Sequence, residues 1–407
     1  MRICVVSINY EPEKLGIAPY TTGMAVGFAG RGHDVTVLTG LPHYPEWSVH
    51  PDYRNASRTV VSNGGVLVRR YAHYVPKNPT MMRRMLFEAS FGVRVASGAW
   101  AEPDIVLATS PSLIASAMVI GRARAMKIPV GVIVQDSYGK GVAETGAMGG
   151  RKAAMVERVE AAVLNQATGI AVVHERFVDT LAAEGVDPKR LTVIRNWAHL
   201  NEPIAALDTA QVRRRYGWES DRIVLHTGNM GAKQGLENVV DAARIADQRG
   251  LGVRFVLVGN GSRRRVLEKY AQGVERIEFK DVLDAEEYRA VLAAVDVLLV
   301  NERPGVGQMA APSKLTSYFS AGRPVLAATD ANGVAAQEIQ TAGAGVVVPA
   351  GEPAALLEAA TKLANDGEEA KRLGATGVGY ARRVLGVEQA IDLYDEWVHR
   401  LMARSAR

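Results

Sequence analysis

The sequence predicts two doubly wound α/β domains. Three observations carry this: short Val/Ile/Leu runs alternate with longer amphipathic stretches, Gly- or Ser-rich turns separate them, and the pattern recurs across 407 residues. At about 150 residues per domain, that length suits two or three domains. Apolar runs without alternation suit strands buried on both faces of a parallel sheet.

In the first half, residues 3–8, 34–38, 105–108, 130–134 and 169–173 read as strands. A helix over 20–31 follows the first strand. Gly32 ends it, because glycine adopts positive φ without steric cost, and the chain enters the second strand as one right-handed βαβ unit. Residues 105–121 are uncharged, but Ser110-Pro111-Ser112 divides them into strand, turn and helix. The run is also shorter than the roughly 20 apolar residues of a membrane span.

The second half repeats the logic, with strands at 223–227, 254–258, 277–279, 297–300, 325–328 and 345–348. Helices are predicted at 236–248, 263–272, 285–294, 314–321 and 353–365. In the first of these, Leu236, Val239, Val240 and Ala243 form a single apolar stripe. Residues 195–208, with Pro203 and mixed polarity, read as the linker. The domains expected are 1–200 and 201–386, with a crevice between them as the default ligand site.

Composition narrows the class. Hydrophobic residues make up 48% and charged residues 22%, which excludes disordered and low-complexity chains. The net charge of +5 does not indicate wholesale nucleic-acid binding. Cys4 is the only cysteine, so neither an internal disulfide nor a cysteine zinc site is expected. The N-terminus enters a strand-like run without a signal peptide's longer apolar stretch, and a cytoplasmic location is expected. The charge is uneven: residues 54–127 hold eleven Lys or Arg and three acids. Within them, residues 74–100 place Met81, Met82, Met85, Leu86, Phe87 and Phe91 beside Arg83 and Arg84. Such a helix fits an anionic membrane surface, and equally a core helix with a solvated basic face.

Three stretches suggest chemistry. Gly228-Asn229-Met230-Gly231-Ala232-Lys233-Gln234-Gly235 joins a strand to a helix. Its glycines let backbone approach a ligand, the helix start offers free N–H groups, and Lys233 is placed for a phosphate. Gly259-Asn260-Gly261 ends a second strand; alone it is weak, since many turns need glycine for backbone reasons only. Ser313 is the expected N-cap of a helix after a glycine-bearing loop, a second anion site. No dinucleotide fingerprint, P-loop, G-x-S-x-G, D-x-D or H-E-x-x-H occurs. Neither a metal nor a resident cofactor is expected, so protein groups must neutralise any leaving phosphate.

In order along the chain, these stretches resemble family 4 glycosyltransferases of GT-B fold. The likeness is to the fucosyl- and N-acetylfucosaminyl-transferase-like members of bacterial exopolysaccharide and O-antigen synthesis. The residues that carry it are Asn9-Tyr10-Glu11-Pro12-Glu13, Gly16-Ile17-Ala18-Pro19-Tyr20, Leu41-Pro42-His43-Tyr44-Pro45, Gln135-Asp136, Arg195-Asn196-Trp197, Gly228 to Gly235, and Pro312-Ser313-Lys314-Leu315. The resemblance implies two Rossmann-like domains, acceptor on the first and nucleotide-sugar donor on the second. It also implies that a final helix over 387–402, within a segment 387–407, returns to the first domain.

The resemblance assigns Lys233 to the donor diphosphate, with Ser313, Lys314 and Leu315 binding it through backbone N–H groups. Gly16 begins a loop closing over the phosphates. Gly228, Asn229, Gly259 and Ser317 complete the expected donor site. Glu11, Tyr20, His43, Gln135 and Glu302 are expected at the acceptor or sugar, and Asp136 joins Lys233 as a catalytic candidate. Four positions depart from the family: Asn229 lies where an arginine is common, Met309 and Ser317 where paired glutamates fall, and Gln135 where a histidine falls. The implied activity is retaining, metal-independent transfer from a nucleoside-diphosphate sugar to a glycan or lipid-linked acceptor, peripheral to the inner face of the membrane. A non-catalytic GT-B partner subunit and a sugar-nucleotide epimerase are the alternatives.

Overall fold

The computed structural model describes every residue except 15, 55–57, 111, 137–149, 198–207, 308–312 and 406–407. The chain divides into two units, Met1–Asn196 with Glu388–Arg407, and Trp197–Val387.

The first unit contains β1 (Arg2–Ser7), α1 (Ala18–Gly30), β2 (Asp34–Gly40), β3 (Arg58–Asn63), β4 (Val66–Tyr71), α2 (Met81–Ser97) and β5 (Ile105–Ser110). It continues with α3 (Leu113–Ala125), β6 (Val130–Val134), α4 (Gly150–Leu164), β7 (Gly169–Val172), α5 (Glu175–Ala183) and β8 (Leu191–Val193). The sheet runs β3-β4-β2-β1-β5-β6-β7-β8 and is parallel except where β3 meets β4 antiparallel. β5 and β6 are buried at every residue, as their apolar runs predict.

The β3–β4 hairpin was not expected. Asn63-Gly64-Gly65 makes its turn, with Gly64 at φ +55° and Gly65 at φ +79°. That is a strong hairpin signal between β-branched runs; the two arginines Arg69 and Arg70 disguise the second run as surface chain.

The second unit contains α6 (Thr209–Tyr216), β9 (Arg222–Thr227), α7 (Glu237–Gln248), β10 (Val253–Val258), α8 (Arg264–Tyr270), β11 (Ile277–Lys280), α9 (Ala285–Ala294) and β12 (Val297–Asn301). After these come α10 (Lys314–Ser320), β13 (Val325–Ala328), α11 (Val334–Ala342), β14 (Gly345–Val348), α12 (Pro353–Asn365) and α13 (Gly367–Val384). Its sheet, β11-β10-β9-β12-β13-β14, is wholly parallel. Apolar residues pack on both of its faces.

The last helix, α14 (Val387–Ser405), packs into the first unit. Ile391, Tyr394, Trp397, Val398 and Leu401 are all buried. A β-carbon on Gly131 would lie 2.6 Å from Trp397, and one on Gly169 would collide with Leu401. Glycines in β6 and β7 thus make room for the helix. Arg31 pairs with Glu388 and Asp392, and His33 with Asp395 at 2.6 Å.

Candidate active site

In the second unit, the carboxyl ends of the central strands form a linked set of turns. The Gly228 turn follows β9 at φ +116°. Gly259 follows β10, where a β-carbon would lie 2.0 Å from the Gly228 carbonyl oxygen. The two turns therefore touch backbone to backbone, which explains Gly259 by packing. Asn229 is exposed, and its side chain lies against Gly231 and Gly261, leaving neither room for a β-carbon.

Ala232–Gln234 forms a single 3-10 turn, and Gly235 ends it at φ +53°. Asn301, at the end of β12, holds this turn: its amide donates to the carbonyls of Gln234 at 2.7 Å and Gly235 at 3.0 Å. The Asn238 side-chain amide in turn donates to Asn301 Oδ1 at 2.8 Å. The Arg303 N–H also donates to the Lys233 carbonyl at 2.8 Å. The loops after β9 and β12 are thus tied together. Asn301 went unread in the sequence because an isolated Asn at a strand end carries no pattern of its own.

Two lysines meet here. Lys233 Nζ lies 3.9 Å from Glu302, which is buried and accepts a 2.6 Å hydrogen bond from the Thr329 hydroxyl. Glu302, expected at the acceptor or sugar, lies beside Lys233 on the second unit. Lys314 Nζ lies 3.2 Å from His226 Nε2 and close to the Gly228 turn. Its side chain, and not only its backbone, lies beside the Gly228 turn.

Burial, reinforced by the charge of Lys233 and opposed by Glu302, pushes the Lys314 ammonium down to about 7. Burial, together with Lys314, holds His226 well below the usual imidazole value. The neutral ring donates from Nδ1 to the Leu299 carbonyl at 3.2 Å, leaving Nε2 to accept from Lys314.

Ser313 precedes α10, but its hydroxyl makes no cap bond, because the residue is already helical at φ −56° and ψ −25°. The expected side-chain cap is corrected on this point. Leu315 is buried in the core, so only its backbone is available to a ligand. Ser317 is buried, with its hydroxyl on Tyr288. Met309 lies outside the described residues.

In the first unit, the loops leaving β1 and β2 are pinned by a residue the sequence reading passed over. Glu13 is buried and accepts the backbone N–H groups of His43 at 2.7 Å and Tyr44 at 2.8 Å. Its other oxygen accepts from Asn9 at 2.8 Å. The acidic pair Glu11 and Glu13 offered no sequence signal to separate them; here the Glu11 N–H donates to the Thr22 hydroxyl at 3.1 Å. Gly16 sits at φ +65° beside Tyr44.

His43 is buried against His73, Phe87 and Trp47. Tyr20, expected at the acceptor, is 4% exposed within the body of the unit, because it faces inward from α1. Gln135 follows β6 and accepts from Asn196 at 2.7 Å. Asp136 is partly buried, and its charge adds to burial in raising the Tyr44 hydroxyl. His174 caps α5, its Nδ1 accepting the Arg176 N–H at 3.1 Å.

Among the described residues, no group of three His, Cys, Asp or Glu is arranged to hold a metal ion. A groove of about 990 Å³ lined by Arg249, Leu357 and Asn365 lies at the opposite, amino-terminal edge of the second sheet, away from the lysines.

A glycosyl transferase 4-like domain model matches residues 16–197, and a glycosyl transferases group 1 model matches residues 221–366. The putative colanic acid biosynthesis glycosyl transferase WcaI of Escherichia coli K12 is 31% identical over 338 residues, covering 79% of this chain and 82% of that protein. The chain belongs to glycosyltransferase family 4. This glycosyltransferase is also 26% identical to the probable glycosyltransferase WbjE of Pseudomonas aeruginosa, over 69% of the chain and 71% of the relative.

Its fold is that of GT-B enzymes. Anabaena HepE, solved with UDP and glucose, superposes with a TM-score of 0.71 at 16% identity, covering 98% of this chain and 99% of HepE. WaaG, a glycosyltransferase of lipopolysaccharide biosynthesis, gives 0.68 at 17% identity over 96% and 99% of the two chains. Among the enzyme's described residues, no helix is long and apolar enough to cross a membrane.

Proposed function

We propose that the enzyme moves a sugar from a nucleoside-diphosphate sugar to a lipid-linked glycan acceptor during cell-surface polysaccharide synthesis, with retention and without a metal ion. The observation that carries this reading is the meeting of Lys233 and Lys314 at the Gly228 turn. Two cations beside a glycine turn and short helical segments supply the charge that a leaving diphosphate requires. That charge comes from the protein, which supports metal independence.

In a retaining front-face displacement, the leaving phosphate oxygen takes the acceptor hydroxyl's proton, and no protein nucleophile is needed. Asp136 then orients substrate. The names of the relatives support the pathway: WcaI is a colanic acid enzyme, and HepE binds UDP and UDP-glucose. The acceptor site is assigned to the first unit, where Glu13 shapes the loops.

Calorimetric titration with UDP and UMP tests the lysine pair. Lys233→Ala and Lys314→Met should each weaken UDP binding on the order of 10- to 100-fold, because each removes a charge-assisted contact to phosphate. UMP, lacking the second phosphate, should be affected much less. Equal losses for the two nucleotides would remove the lysines from the diphosphate site. Turnover that persists in excess chelator supports the metal-free reading; turnover that requires added divalent ion overturns it.

A further inference from the structure

Arg70, near the carboxyl end of β4, is 4% exposed. Its Nε and Nη1 are sealed from solvent without a hydrogen-bond partner, and among the described residues it forms no ion pair. The rings of Tyr53 and Tyr10 lie 5.5 and 5.9 Å from the guanidinium carbon. Such cation–π contacts are weak beside the cost of burying a cation without a counter-ion. The aromatic rings do not offset the burial.

The surroundings have the same deficit. Register places Ser7 of β1 opposite Thr39 of β2, and Thr39 opposite Arg70 of β4, so all three share one face of the sheet. The Thr39 hydroxyl and the Tyr10 hydroxyl are likewise buried without partners. A forked cation and two unpaired hydroxyls thus lie on neighbouring segments at the carboxyl edge of a parallel sheet, the edge at which α/β folds receive ligands.

We infer that Arg70, Tyr10 and Thr39 form an oxyanion-binding site that receives a carboxylate or phosphate group of the acceptor. The planar guanidinium matches either group through two parallel hydrogen bonds, and the hydroxyls of Tyr10 and Thr39 complete its shell. The site belongs to the first unit, and the donor lysines to the second. Its assignment to the acceptor rests on the proposed function; its affinity for an oxyanion does not.

The test is the thermal stability of the full chain, without nucleotide, in sodium phosphate or sodium glucuronate against chloride of equal ionic strength. Phosphate also binds at the donor lysines, so the quantity read is the difference between wild type and Arg70→Met, in which the donor site is unchanged. Wild type should gain a few degrees more than the variant at ligand concentrations well above Kd. A larger difference in phosphate assigns a phosphorylated acceptor group, and a larger one in glucuronate assigns an acidic sugar.

An equal response of the two proteins to both anions overturns the site. Should Arg70→Met fail to fold, Arg70→Lys decides: it keeps the charge but loses the fork, so an undiminished response overturns the site and a reduced one supports it. A chain that shows the Arg70-dependent response but transfers no sugar would leave the site standing and remove the proposed function.

Discussion

Lys314 shows how one side chain links stability to ligand binding through pH. Unfolded, a lysine titrates near 10.4; in the folded enzyme, burial pushes Lys314 down to about 7, with Glu302 opposing and Lys233 adding to the fall. Between those values the unfolded chain holds the extra proton, so this residue's contribution to stability rises as pH climbs from about 7 towards 10. Its contribution to the proposed diphosphate binding should move the other way, since only the ammonium attracts phosphate. UDP affinity should therefore fall through pH 7 while the urea midpoint rises, relative to Lys314→Met, in which both trends are lost. A wild-type enzyme whose two profiles run parallel to the variant's would show that Lys314 stays protonated. The sequence made the position legible as part of an anion loop but assigned only its backbone. What was hidden is His226: an interior strand residue reads as core, and only the fold brings its ring against Lys314.

At the scale of elements, the alternation of apolar runs and turns was readable because both sheets are parallel and buried on both faces, so each central strand announces itself. The β3–β4 hairpin escaped because its charged second strand puts Arg70 where an apolar residue is expected. Helix α2 is the case in which the sequence allowed two readings, a membrane-surface helix and a core helix with a solvated basic face, and its burial shows the feature they share, a buried apolar side with cations outside. Phe87, Phe91 and Val95 are buried, while Met82, Leu86 and Val93 are 67%, 55% and 55% exposed. Arg83, Arg84 and Arg94 are exposed beside them. An apolar stripe flanked by cations suits an anionic bilayer, where each basic residue near the surface adds about 1 kcal/mol. Co-sedimentation with vesicles rich in phosphatidylglycerol should retain the enzyme, and pure phosphatidylcholine should not. Met82→Glu with Leu86→Glu should abolish retention while leaving UDP affinity unchanged; undiminished retention by that variant would assign membrane contact elsewhere.

For the whole molecule, the chain order and the spatial order differ. The first unit is closed by α14, which follows the entire second unit in sequence. Burial of Ile391, Tyr394, Trp397, Val398 and Leu401 contributes roughly 1.5–3 kcal/mol per side chain. Together that is comparable with the roughly 5–15 kcal/mol by which a domain is stable. A chain ending at residue 386 should lose its first unit to limited proteolysis while residues 197–386 survive as a resistant fragment. Equal resistance of both units would show that α14 is dispensable. The departure and return of the chain also set a schedule for synthesis. The segment translated first cannot complete its core until about 190 later residues have left the ribosome. Meanwhile Gly131 and Gly169, with Gly27 of α1, where a β-carbon would lie 2.7 Å from Ile391, are cut back to admit a helix that has not yet been made and leave an open apolar trough. The second unit can fold while that trough waits, so a nascent chain stalled before residue 387 presents a binding surface for chaperones that the finished enzyme lacks.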